Sequence, residues 1–144
     1  MAHSNKPPRT LEGKLYLLCV LSSRNKTTAP KRSCKAHVER IETEAKSTAI
    51  SVQCDLKSPT APQQIVAATV KAFGDSIDIL VNHAATLTEQ RIAETSPEDF
   101  DDIFHTNARA PLLMLQAVLP RLRAPGGRII NISNVDTHSA SPGD

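Results

Sequence analysis

A chain of 144 residues with 40% hydrophobic and 22% charged side chains has the size of one globular domain, enough to bury about two-thirds of its unfolded surface. Its net charge of +2 hides a basic block at Ser22 to Lys35 and an acidic one at Glu94 to Asp102, neither long enough to demand a nucleic-acid or membrane role, and no apolar stretch approaches the ~20 residues of a membrane-spanning helix. Cys19, Cys34 and Cys54 are odd in number and lack C-x-x-C spacing, which fits reduced thiols in the cytoplasm.

Met1 to Thr10 is polar, carries prolines and is expected to be a disordered tail, leaving 11–144 as the folded unit. Leu15 to Leu21 is continuously hydrophobic and reads as a strand. Ser22 to Lys35 is polar and basic, is broken by Pro30 and has no apolar stripe, so a loop is expected. Its charges have no interleaved aromatic and no zinc spacing, which leaves a nucleic-acid role without support. Val38, Ile41 and Ala45 then fall at helical spacing, giving a short amphipathic helix from Ala36 to about Lys46. Thr48 to Cys54 alternates with period two and reads as a second strand.

Asp55 to Thr60 is a turn, and Pro62 opens a helix with Ile65, Val66, Thr69, Val70 and Phe73 on one face and Gly74 as its C-cap. The chain is organised around the next run, Ser76 to Ala85. Ile77, Ile79, Leu80 and Val81 make a short buried strand that stops at Asn82, His83 and two alanines. In open α/β sheets ligands bind at that carboxyl end. Ser96-Pro97-Glu98-Asp99 starts a long helix, with serine as N-cap and proline at its first position. The stripe from Phe100 through Leu119 continues it, with a kink expected at Pro111. Gly126-Gly127 breaks the chain before a last strand, Arg128 to Ser133. Strands alternating with helices predict an α/β fold, a partial Rossmann-like, doubly wound parallel sheet.

Three stretches in register carry a resemblance: D-I-L-V-N-H-A-A at 78–85, F-H-T-N-A-R-A-P at 104–111 and G-R-I-I-N-I-S-N-V at 127–135. With Leu11-Glu-Gly-Lys14 as an opening, they resemble the short-chain dehydrogenase/reductases. That family moves a hydride between NAD or NADP and a small carbonyl or alcohol substrate. The resemblance implies that Asn82, Ala84 and Ala85 lie along the adenosine ribose and that Asp55 lies near the adenine amine. Asp55 equally suits a simple cap on the Lys57–Thr60 turn. Asn107 matches the family's relay asparagine; a satisfied polar residue on a helix is the alternative. Ser133 stands one residue before the position of the catalytic serine, which holds Asn134.

Two departures limit the expectation. The glycines are Gly13, Gly74, Gly126, Gly127 and Gly143, and none can form the family's glycine-rich diphosphate loop. The only tyrosine is Tyr16 and the last lysine is Lys71, so the catalytic Tyr-x-x-x-Lys is absent. One account makes Leu15 to Leu21 the second strand of the fold, with Arg24 where an NADP 2′-phosphate is read; a solvated loop is the alternative. The expectation is therefore weak or no NADP or NAD binding and no catalysis by the chain as written. A non-catalytic protein acting through binding is the second reading, with a homo- or hetero-oligomer formed through 96–122. No histidine has metal-ligand spacing, so no metal is assigned.

Overall fold

The computed structural model describes residues 16–19, 32–44, 47–87 and 90–133. The expected tail at 1–10, Arg24 and Asn134 lie outside them. Three parallel strands form one sheet in the order β1, β2, β3: β1 is Tyr16–Cys19, β2 is Ile79–Asn82 and β3 is Arg128–Asn131. Leu17 is in register with Leu80, and Leu80 with Ile129. Parallel neighbours need crossovers, which the helices α1 (Arg32–Glu44), α2 (Ala61–Phe73), α3 (Pro97–Phe104) and α4 (Ala110–Val118) supply.

The organising strand is central, as its composition requires. Leu80 on β2 and Ile77 just before it are fully buried, and α2 and α4 pack on each other above them. Helix α2 contributes Ile65 and Val66 to that core, and α4 contributes Ala110, Met114 and Val118. Gly74 ends α2 at φ +93°, with its N–H donating to the Val70 carbonyl at 2.9 Å. At the other end of the core, Ser96 caps α3: its Oγ accepts from the Asp99 N–H at 3.1 Å and donates to Asp99 Oδ2 at 2.8 Å.

Several expectations need correction. Helix α1 begins at Arg32, four residues before the expected start at Ala36, because Arg, Ser, Cys and Lys all have workable helix propensity. That stripe is poorly used: Val38 is half-buried and Ile41 is exposed. Thr48 to Cys54 forms no ladder with any described residue. Its period-two pattern is still present, since Val52 and Cys54 pack against the core, as does Leu56 beyond them. Among the described residues it has no strand beside it. In the Rossmann order 3-2-1-4 the third strand pairs with the second and the first with the fourth. Here β1 lies directly beside β2, the place of a first strand, so Leu15 to Leu21 does not serve as the second.

The long helix also differs. The kink expected at Pro111 takes the form of a π-helical turn, His105–Arg109, just before α4. Proline has no N–H for an i−4 carbonyl and crowds that carbonyl, and the wider turn relieves this. The Ala110 N–H reaches back to the His105 carbonyl across the turn. Strand β3 is shorter than expected, and all four of its residues are exposed. No helix among the described residues is long and apolar enough to cross a membrane.

Candidate functional site

The site forms where β2 runs out. Asn82, its last residue, donates from Nδ2 to Asn131 Oδ1 at 2.8 Å, which clamps the ends of β2 and β3 together. The chain turns through His83, Ala84 and Ala85 to Thr86. There Asn107, in the π turn, takes both backbone groups of Thr86: its Oδ1 accepts from the N–H and its Nδ2 donates to the carbonyl, each at 2.8 Å. A hydrogen bond of this kind contributes ~0.5–1.5 kcal/mol net. The geometric effect matters more, because it fixes the exit of the turn to the helix.

Between that turn and the helix lies a small depression of ≈ 10 Å³, lined by Leu56, Asn82, His83, Ala84, Thr106, Ala110, Pro111 and Met114. Thr106 is 1% exposed and its Oγ1 has no hydrogen-bond partner. Leaving a buried hydroxyl unpaired costs ~1–3 kcal/mol, and because the depression exposes only apolar atoms this hydroxyl does not open onto it. The far wall, Leu56, is held from two sides. Lys57 Nζ bonds both oxygens of Asp102 at 2.9 and 3.0 Å, and Arg109 Nη2 donates to the Lys57 carbonyl.

Asp55 forms the turn cap: its Oδ1 accepts from the Lys57 N–H at 3.0 Å and its carbonyl accepts from the Ser58 N–H at 2.9 Å. Its other carboxylate oxygen is not engaged by a described residue. Burial pushes the neighbouring Cys54 thiol upward, and the Asp55 charge adds to that, so this cysteine is a packed thiol rather than a nucleophile. Among the described residues no group of three His, Cys, Asp or Glu side chains could hold a metal ion.

The structure thus gathers Asn82 and Ala84 on the depression, Ala85 beside it and Asn107 behind the turn. Asp55 adjoins the wall residue Leu56. Ser133 is exposed, two residues beyond β3, and Arg24 lies outside the described residues. Leu56, Thr106 and Met114 were not expected as site residues. Leu56 adjoins Asp55 in sequence, a signal that was available; Thr106 carries none of its own, and Met114 lies off the stripe of Leu112, Leu115 and Leu119.

Against known proteins, residues 26–144 match the family model described as enoyl-(acyl carrier protein) reductase. Dehydrogenase OXI1 of Cochliobolus heterostrophus is 40% identical over 103 residues, covering 71% of this chain and 44% of that protein. Short chain dehydrogenase penD of Penicillium thymicola is 33% identical, covering 77% of this chain and 42% of its own length. The chain therefore spans less than half of these relatives. Among solved structures, a short-chain dehydrogenase from Burkholderia cenocepacia in complex with NADP superposes with a TM-score of 0.74 at 25% identity, covering 89% of this chain and 48% of that one. A dehydrogenase/reductase from Sinorhizobium meliloti gives a TM-score of 0.72 at 30% identity, covering 90% and 48%.

Proposed function

This chain belongs to the short-chain dehydrogenase/reductase family, and from that premise we propose that it carries the adenosine-binding part of an NAD(P)-dependent oxidoreductase site acting on a small carbonyl or alcohol. The observation that carries the reading is the β2 turn, pinned by Asn107 and opening on a small apolar depression at the carboxyl end of the strand.

The residues fit one end of the dinucleotide. Asn82, Ala84 and Ala85 would hold the ribose, and Asp55 retains a carboxylate oxygen for the adenine amine. They do not fit the other end as well. No glycine follows β1 before Gly74, so no backbone there lies open to a diphosphate in the family's manner. When bound, the nicotinamide ring would supply or accept the hydride. Within the 144 residues nothing matches the family's acid, because the sole tyrosine is Tyr16, on β1. Asn107 has its amide committed to Thr86, so its role here is to position the turn. Ser133 is a candidate remnant of the catalytic serine.

The chain alone is accordingly expected to bind NADPH or NADH no tighter than millimolar, about −4 kcal/mol, and to reduce no carbonyl substrate above buffer. Isothermal titration and a 340 nm assay check both. A micromolar constant would overturn the account of the missing diphosphate cradle. Turnover abolished by Asn107→Ala would overturn the inactivity.

A specific observation favours the second reading, a binding or dimerisation protein. Phe100 and Phe104 stack with ring centroids 4.4 Å apart, yet each remains 52% exposed, and Leu112 and Leu119 are also exposed. All four lie within 96–122, apolar side chains exposed on the helical segment. Light scattering on a sizing column is expected to show association that Phe104→Asp with Leu112→Asp reduces. A wild-type monomer under the same conditions would remove this interface.

A further inference from the structure

The π turn His105–Arg109 holds two loops at once. Asn107 takes both backbone groups of Thr86, beyond β2, and Arg109 Nη2 donates to the Lys57 carbonyl, in the turn behind Leu56. The second hold reaches further than one carbonyl. The peptide joining Lys57 to Ser58 accepts from Arg109 through its oxygen and donates through its N–H to the Asp55 carbonyl at 2.9 Å. The Lys57 N–H meanwhile donates to Asp55 Oδ1 at 3.0 Å. A cationic donor polarises the peptide it binds and strengthens the bond that peptide makes in turn. Arg109 is thus linked to the Asp55 carboxylate through one residue, Lys57, both of whose backbone groups are engaged.

We propose that Arg109 is a positioning residue that sets the selectivity of this site for a 6-aminopurine, by fixing the Asp55 carboxylate relative to the ribose turn. The proposal rests on the adenosine reading above and adds the group that holds its selective element. An ionised carboxylate only accepts hydrogen bonds, so it attracts a purine 6-amino group and repels a 6-oxo group. That choice needs the carboxylate at a set distance from the ribose. Asn107 fixes the ribose turn to the helix, and Arg109, two residues along, fixes the Asp55 turn to the same helix. The Lys57–Asp102 ion pair also ties the Asp55 turn to α3, but the Asp102 side chain is 58% exposed, and a pair so open to water holds geometry weakly. The Arg109 contact is partly buried.

Amide shifts of the full chain, titrated with 5′-AMP and with 5′-IMP, test it. Wild type is expected to take AMP about tenfold more tightly than IMP. Arg109→Met keeps an apolar stem and removes the donor; the ratio is expected to fall to about twofold or less, with IMP little changed. Arg109→Lys returns a cationic donor to the single carbonyl and is expected to recover most of the ratio. Lys57→Met removes the ion pair but not the carbonyl, and is expected to keep the ratio within about twofold of wild type. Hydrogen exchange gives a readout without ligand: the Lys57 and Ser58 amides are expected to exchange at least about tenfold faster in Arg109→Met, with Met114 and Val118 unchanged. A wild type that takes AMP and IMP alike, or neither, removes the adenosine reading and this inference with it. A selective wild type with Arg109→Met equally selective, or with exchange at Lys57 and Ser58 unchanged, overturns this inference alone. So does a Lys57→Met variant as unselective as Arg109→Met.

Discussion

Leu80→Ala is expected to remove about 2–5 kcal/mol of stability, the cost of emptying a leucine site in a closed core. Leu80 is fully buried at the middle of β2, flanked by Leu17 on one strand and Ile129 on the other, with α4 packed against the strand. A domain of this class has only ~5–15 kcal/mol in total, so the variant should lose a large part of it. Urea unfolding followed by far-UV circular dichroism reads the change as a lower midpoint at unchanged slope. A loss below about 1 kcal/mol would mean that the sheet's centre is not packed as described.

Gly127→Ala is expected to be the next most damaging single change, and by a different mechanism. A methyl built at this position lies 2.5 Å from Leu122 Cγ and 2.8 Å from the Arg123 carbonyl oxygen. The side chain could shift, but the backbone oxygen is fixed. It belongs to the turn in which the Gly127 N–H donates to the Arg123 carbonyl at 2.8 Å, while Arg123 N–H donates to Ile77 at 2.8 Å. Overpacking of this kind costs ~1–3 kcal/mol. Gly126 is the internal control: at φ +113° with open space around it, alanine there meets only backbone strain, about 1–2 kcal/mol. Thermal melts of the two variants separate collision from strain, because a further Leu122→Ala change should partly rescue the first and not the second. Equal loss in both, unaffected by Leu122→Ala, would contradict the collision.

Much of this fold was legible because it is local. Helix α2 follows from four apolar residues and Thr69 at helical spacing, and one capping glycine. The Ser96 start of α3 follows from a serine, a proline and an acid in order, and the hydrogen bonds expected there are made. The strand at 79–82 follows from a short β-branched run. What was not legible depends on neighbours. Thr48 to Cys54 has the sequence of a strand, but a strand is completed by another strand, and nothing within seven residues tells whether one is present. Strand β3 reads as a strand from R-I-I-N, but that all four of its residues are exposed depends on its neighbours in the same way.

The site divides along the same line. The turn at Asn82 to Ala85 could be placed by where the apolar run stops. Thr106 could not be singled out, because its significance lies in a hydroxyl left without a partner, a property of the packing around it. Asn107 was recognisable as a polar residue on a helix stripe, but its partner Thr86 lies 21 positions earlier in the chain.

The π turn at His105–Arg109 has a consequence for how this helix can change. A π turn takes up one residue more than an α turn, so α3 and α4 run on either side of an extra residue. Deleting one residue from 105–109 lets the turn close to α geometry and leaves Ala110, Met114 and Val118 on the core, whereas a deletion inside α4 turns every residue beyond it by ~100°. The π turn is therefore where this helical stretch can lose a residue without turning its buried face out.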